Sequence, residues 1–469
     1  MLTIYNSLTK KKQEFTPLNK GKVRMYACGV TVYDDCHIGH GRSLYIFEVI
    51  RRYLKYKGFA VTFVRNITDV DDKIIKRANE LKVNWKELVD KYIKNYYRDL
   101  ADLGLSKADK EPRATENIKD MVKYISKLIK KDYAYVADTG VYFSVRKLKD
   151  YGKLSGQKIE DMQNSVRIEA DESKKDPLDF ALWKKSKEGE PSWDSPWGGG
   201  RPGWHIECSV MSQKYLKTDT LDIHGGGRDL IFPHHENEIA QAEALSAKPF
   251  ANYWVHHGLL TINSQKMAKS LGNFVTIQEV LNKYPTDILK MFYLQAHYTS
   301  SIDFSWEKMD EVKKAYERLV ILKDKLEKNY GTVHIDKKFQ SGAGHTLPFK
   351  QQFIEAMDDD FNMPKALAVL FDMVNRCNKT IDSDIESKNF ILKYALEIIK
   401  EMADIFCLDF FKEKLEEISQ SQIKEKIKLR LEYKKNKNFE ESDRIRKELE
   451  EKGIILEDTK ETTTWRRKI

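Results

Sequence analysis

Long apolar runs are missing from these 469 residues, and no stretch approaches the roughly 18 uncharged apolar residues that a membrane-spanning helix needs. The opening Met1-Leu2-Thr3-Ile4-Tyr5-Asn6 lacks a basic segment followed by an apolar one, so a cytoplasmic protein with no membrane partner is expected. Cysteine is sparse too. Five of them (Cys28, Cys36, Cys208, Cys377 and Cys407), an odd number in a long chain, argue against a disulfide framework and leave thiols free for other work. What is present, 41% hydrophobic and 33% charged residues, suffices to fold and stay soluble, which sets aside collagen-like, mucin-like and disordered classes. At roughly 100 to 200 residues per domain, the length predicts about three or four domains. Basic residues outnumber acidic ones 81 to 72, a net +9 that suits a polyanionic partner.

The pattern predicts an α/β fold. Val23 to Ala27 reads as a buried strand, Leu44, Phe47, Ile50 and Leu54 as one face of a helix stopped near Gly58, and Ala60 to Val64 as a second strand. Strand, helix and strand at this spacing form a right-handed crossover in a parallel sheet, the usual floor of a nucleotide site. A helix follows from Asp71 to Leu81. Helical Met121 to Ile129, a hairpin at Asp138-Thr139-Gly140 and a lysine-rich stretch interrupt the sheet, which resumes at Leu221-Asp222-Ile223 and from Tyr253 to Leu260. The expected division is a split parallel-sheet domain over 1–108 and 201–262, an insertion over 109–200, and a stem-like loop region over 263–305. A helical bundle over 306–405 and a small terminal domain over 406–469 complete it.

His37-Ile38-Gly39-His40 falls where the first strand hands over to the helix, placing two imidazoles and a small Gly39 at an electropositive N-terminus suited to phosphate. Lys266-Met267-Ala268-Lys269-Ser270 sits in a polar loop; two lysines three apart can clamp charge spreading over phosphates, though basic loops are commonly plain surface. His234 and Glu238, four apart in a helix opened by Pro233, share a face and can grip one ion. His235 and Glu238 compete for that role, and spacing alone does not choose. Cys28 and Cys208 would join them only if their elements abut. A mixed thiolate, imidazole and carboxylate set suits zinc.

These strings, with Asn66-Ile67-Thr68-Asp69-Val70-Asp71-Asp72-Lys73, Gly203 through Cys208, His224-Gly225-Gly226-Gly227 and Phe232 through Glu238, together resemble cysteinyl-tRNA synthetase, a class I aminoacyl-tRNA synthetase, over nearly the whole chain. The resemblance implies a Rossmann-like catalytic domain split by a connective insertion, then a helical bundle and an anticodon-binding domain. It also implies ATP-dependent joining of L-cysteine to tRNA(Cys) through cysteinyl adenylate, with Mg2+ accompanying ATP and one zinc ion per chain. The implied ligands are Cys28, Cys208, His234 and Glu238. His37, Gly39, His40, Lys266 and Lys269 would hold ATP, and Thr68, Trp204 and His224 would line the cysteine pocket. Zinc has a reason to be there: a hydrophobic pocket rejects a near-isostere only about a hundredfold, whereas a soft cation coordinates a thiolate far better than serine's hydroxyl. Cys36, beside the histidines, is expected to be a packing residue.

Seven basic residues face two glutamates between Lys424 and Lys437, on a helix whose apolar side is expected to be Ile423, Ile427 and Leu431. Asn438 and Glu441 look like a capping box opening the next helix, with Ile445 and Leu449 inward. By resemblance this region reads the anticodon through Lys434, Phe439 and Asp443, although relatives commonly carry arginine and tryptophan at the first two. Ala268 stands where serine is usual. Two other functions compete: transfer of activated cysteine to an amino sugar, and a non-enzymatic RNA-binding protein with structural zinc. A monomer is expected.

Overall fold

The computed structural model describes residues 1–165, 173–267, 272–330, 347–411, 420–451, 453–458 and 463–467. The chain forms two compact units. The first comprises Met1–Trp306 with Phe353–Leu367 and Ile405–Cys407; the second takes Glu307–Gln352, Ala368–Asp404 and Leu408–Ile469.

The first unit is built on a parallel sheet of β1 (Lys22–Thr31), β2 (Ala60–Thr68), β3 (Leu221–Gly227) and β4 (Ala251–His257), in the order β4-β3-β1-β2. All seven residues of β3 are buried, as expected of a strand covered on both faces. Between β1 and β2 runs α1 (Ile38–Tyr56), whose Leu44, Phe47, Ile50 and Leu54 are buried as the periodicity predicts. From β1 the chain departs to one side through α1 and returns on the other side as β3. The carboxyl ends of β1 and β3 therefore border the crevice where ligands bind in such sheets.

The interruption is real and forms a four-stranded antiparallel sheet of Ala134–Ala137, Gly140–Phe143, Phe180–Lys185 and Gly200–Pro202. Its core of Met121, Ile125, Val141 and Trp183 is continuous with Ile206 and Met211 of α2 (Trp204–Leu216), so it packs onto the parallel sheet's own helix. A further helix, α3 (Glu236–Ser246), precedes β4.

One expectation is corrected here. The strand expected from Tyr253 to Leu260 is two strands: β4 stops at His257, and Leu260–Ile262 joins a separate sheet with Gln265–Lys266 and Ile302–Phe304. Gly258 marks the break, where a Cβ would lie 2.3 Å from the Ser300 backbone, so the chain must bend past that loop. Pro233 opens a helix as expected: Phe232 is extended, and from Pro233 the backbone is helical, first as a wide turn through His235 and then as the regular helix that begins at Glu236.

In the second unit, buried Met309, Val312, Tyr316 and Leu319 lie on one face of Trp306–Tyr330, with the long helices Met363–Ile381 and Lys388–Ile405 supplying most of the remaining apolar layer. Near the chain end, helices Gln420–Lys435 and Phe439–Glu451 and the hairpin Ile454–Asp458 with Thr463–Arg467 enclose Ile423, Ile427, Ile445, Leu449, Ile454 and Leu456. Leu431 is not on the apolar face: it is 40% exposed, and Arg430 is buried in its stead. At 3.6 residues per turn, position 430 is closer than 431 to the line continued from 423 and 427. The capping box is half made. Asn438 Oδ1 accepts the Glu441 N–H at 3.3 Å, while the Glu441 carboxylate pairs with Arg444.

Candidate active site

His37 is the N-cap of α1. Its Nδ1 accepts the N–H groups of Gly39 at 3.0 Å and His40 at 3.2 Å, and the His37 N–H reaches back to His40 Nδ1 at 3.4 Å. The two rings stack at 3.8 Å. With both Nδ1 atoms accepting, each neutral ring carries its proton on Nε2, as a donor for a ligand. Burial lowers His37 to about 4 against a small opposing pull from Asp229, and burial followed by His37 itself holds His40 well below the ordinary value. They are neutral donors at physiological pH. Gly39 is required here, since a Cβ would come within 2.9 Å of the His37 ring.

The chain beyond the lysine motif is stitched to this loop. Ile38 N–H donates to Val275 O at 3.1 Å, Ile277 N–H to Cys36 O at 3.0 Å, and Phe274 meets the His37 ring edge-on. Cys36 is buried, and burial pushes its thiol well above the ordinary range. Lys266 lies on a short strand paired with Thr261; Lys269 and Ala268 lie outside the described residues.

Cys28 sits at an irregularity in β1 between Ala27 and Val30, and Cys208 lies in the second turn of α2. Their sulfurs are 3.8 Å apart, and Cys28 Sγ is 3.4 Å from Glu238 Oε1. His234 Nε2 comes within 3.0 Å of the same oxygen but is not aligned for a hydrogen bond, which leaves a wholly buried nitrogen without a partner. Its other nitrogen meets His205 Nδ1 at 2.9 Å, and its ring stacks on Trp204 at 4.1 Å. Donor atoms of Cys28, Cys208, His234 and Glu238 all lie within 4.8 Å of one another; so do those of Cys28, His224, His235 and Glu238. The competition between His234 and His235 visible in the spacing thus persists in space, with His235 Nε2 at 3.3 Å from Cys28 and its Nδ1 at 2.7 Å from His256.

Charge is tuned around this cluster. Burial opposes ionisation of Glu238, but His224 and His234 overcome it and bring the carboxyl to about 2. Burial, the largest influence, opposes the Cys208 thiolate, but the hydrogen bond from Cys28 together with His234 outweighs it, giving about 6. Lost solvation, then Cys208, push Cys28 well above its ordinary value. Against burial, Glu238 and then Cys208 raise His234 to about 10, so a zinc ion would take the place of the proton on its unpartnered Nε2; with an anionic carboxylate and an available thiolate, that nitrogen forms a donor set that fits zinc.

The expected pocket residues gather nearby. His224 Nε2 is 2.7 Å from Glu238 Oε2, and its ring stacks on Trp254 at 4.4 Å. Thr68 ends β2 and donates to Glu207 Oε2 at 2.9 Å. Beside Trp204 and His205 opens a cavity of about 960 Å3, bounded by Asp72, Lys184 and Arg201. Asn66, Glu207, His205, His256 and Arg42 escaped the sequence reading. Asn66, Glu207 and His205 lay inside strings already singled out, but nothing in the strings separates them from their neighbours.

In the terminal module, Phe439 is 59% exposed and opens its helix, Asp443 is exposed one turn on, and Lys434 lies 3.8 Å from Asp458.

A parallel sheet with histidines capping the first crossover helix, and the chain just after a lysine motif tied back to that cap, is the architecture of a class I aminoacyl-tRNA synthetase. A family model described as tRNA synthetases class I (C) catalytic domain matches residues 14–314, and one described as DALR domain matches residues 352–411. Solved structures share the fold at low identity. Methionyl-tRNA synthetase from Mycobacterium tuberculosis in complex with methionyl-adenylate gives a TM-score of 0.61 at 16% identity, over 82% of this chain and 90% of that one. LeuRS from Agrobacterium radiobacter gives 0.63 at 10%, over 85% of each. The Cysteine--tRNA ligase of Persephonella marina is 49% identical over 490 residues, covering 100% of both chains, and that of a Sulfurihydrogenibium species is 50% identical over 487 residues, covering 99% of both. The chain belongs to the cysteine–tRNA ligase family.

Proposed function

We propose that this enzyme charges tRNA(Cys) in two steps and selects cysteine by its sulfur. In the first, a carboxylate oxygen of cysteine attacks the α-phosphorus of ATP and pyrophosphate leaves. In the second, a ribose hydroxyl of the tRNA's terminal adenosine attacks the acyl carbon and AMP leaves. The chain's own part is positioning and charge stabilisation. The Nε2–H groups of His37 and His40 donate to the phosphates at the amino end of α1, and Lys266 and Lys269 neutralise the charge that moves onto pyrophosphate, with Mg2+ accompanying ATP. Gly39 allows close backbone approach.

Cys28, Cys208, His234 and Glu238 would hold one zinc ion, which when bound supplies a soft Lewis-acidic centre that prefers a thiolate to a hydroxyl. The observation that carries this reading is the wholly buried, unpartnered His234 Nε2 within reach of two thiols and an anionic carboxylate. It favours His234 over His235, whose ring already bridges Cys28 and His256. Trp204, His224 and Thr68 wall the amino-acid pocket. Lys434, Phe439 and Asp443 are the proposed anticodon contacts. The domain division expected from the sequence, a monomeric state and a cytoplasmic setting belong to the same reading.

The test is pyrophosphate exchange into ATP with cysteine or serine, on protein whose zinc content is measured. Cysteine-dependent exchange with one zinc per chain is expected. Equal exchange with zinc-free protein would overturn the selection mechanism.

A further inference from the structure

Thr68 is tied on two sides. Its hydroxyl donates to Glu207 Oε2 at 2.9 Å and accepts from Asn66 Nδ2 at 3.1 Å. A hydroxyl has one proton and two lone pairs, so a single lone pair remains, and towards a ligand Thr68 can only accept. Asn66 cannot reverse this sense. Its Oδ1 receives Tyr26 OH at 3.0 Å and Gly29 N–H at 2.8 Å, which fixes the amide with its NH2 towards Thr68. Hydrogen-bond direction therefore runs one way, from Tyr26 and Gly29 through Asn66 and Thr68 to Glu207.

The end of this relay is unusual. Glu207 is wholly buried on α2, one residue before Cys208, and its Oε1 has no hydrogen-bond partner. A buried carboxyl with one oxygen unused is costly unless a cation is brought near. The relay also lies against the thiol cluster, because Asn66 Oδ1 contacts both Gly29, next to Cys28, and Cys208 Sγ at 3.7 Å. An amino acid whose sulfur is held at that cluster carries its α-ammonium two carbons away, and an ammonium offers only donors.

We propose that Glu207 is a positioning residue: by taking the Thr68 proton it presents Thr68 as an acceptor for the substrate's α-ammonium, so that recognition of the amine is separable from recognition of the thiol. This rests on the reading of the site as cysteine-activating. Removing the acceptor frees the Thr68 hydroxyl to turn its proton towards the ligand, where it opposes the ammonium. Glutamine keeps an acceptor in place and is the conservative replacement.

Calorimetric titration of the zinc-loaded enzyme with L-cysteine and with 3-mercaptopropionate, which lacks the amine, tests this. Glu207→Met should weaken cysteine roughly 10- to 100-fold and leave 3-mercaptopropionate within about twofold, while Glu207→Gln stays close to wild type. Thr68→Val, which keeps the shape and removes the acceptor, should show the same selective loss whether or not the methionine variant folds. Equal weakening of both ligands in Thr68→Val, or no weakening of either, would overturn the inference while leaving the cysteine-activating reading intact. Failure of the wild-type enzyme to bind either thiol would overturn that reading and the inference with it.

Discussion

On the proposed reading His37 does two jobs with one ring: Nδ1 caps α1, and Nε2, which takes no part in the cap, serves the phosphates. The jobs can be separated, because asparagine is a good N-cap but carries no Nε2. His37→Ala should lose about 1 kcal/mol of stability and also slow cysteine-dependent exchange. His37→Asn should keep the melting temperature within about a degree or two and still slow exchange roughly a hundredfold. If the asparagine variant exchanges at the wild-type rate, the cap alone matters. The same contrast shows what was legible. The histidine pair and its place before a helix are visible in the sequence, since capping is local. That Cys28 and Cys208 share one ligand set is not, because they are 180 positions apart and meet only when α2 folds against β1. The resemblance to known synthetases supplied that pairing before any geometry did. Cys208→Ser should remove bound zinc and cysteine activation together, measured by metal analysis and exchange. Full activation without zinc would show the metal to be structural.

At the scale of elements, Arg42 is what holds α1 in register with the strand ends. Its guanidinium is buried and donates to Gly258 O at 2.8 Å, Leu259 O at 3.0 Å and Ser300 O at 2.6 Å. Burial lowers it to about 10, so it remains charged at neutral pH. It is one of 81 basic residues, and no spacing marks it out, because its partners lie more than 200 positions away. Arg42→Met keeps the length of the stem but strands these carbonyls. A loss of about 3 kcal/mol or more is expected in urea denaturation of the first unit, since hydrogen bonds to a charged donor contribute about 1.5 to 3 kcal/mol each and do not add fully. A loss under about 1 kcal/mol would show that water replaces the guanidinium. Leu431 teaches the converse. An apolar residue four positions on from Ile427 looks inward on paper, but the helix period gives the inward place to Arg430, which is buried because an acid waits for it.

That acid organises the end of the molecule. Asp458 accepts from Arg430 through both oxygens at 2.9 Å, from Arg446 at 2.9 Å and from Thr463 at 2.6 Å, with Lys434 at 3.8 Å. The hydrogen bond from Arg430, then that from Thr463, hold its carboxyl far below the ordinary value of about 3.9. The sign follows by linkage. A depressed carboxyl adds stability in full above its unfolded pKa and loses it as the pH falls towards the folded one. Melting of the terminal module should therefore be insensitive to this group from pH 7 to about 5 and weaken below about 4. Asp458→Asn removes the charge at every pH and leaves Arg430 buried against a neutral amide. At pH 7 it should cost the module about 2 to 3 kcal/mol, less than a fully buried pair because Asp458 retains solvent contact. It should also flatten the acid dependence. On the proposed reading cysteine is activated in the first unit, so pyrophosphate exchange by Asp458→Asn should match wild type, while tRNA charging falls as Lys434 loses its neighbour and the helix bearing Phe439 loosens. Measured side by side, exchange and charging assign the defect. A parallel drop in both would mean that the terminal module supports the catalytic unit itself, and charging at the wild-type level would remove Lys434 and Phe439 from the anticodon surface.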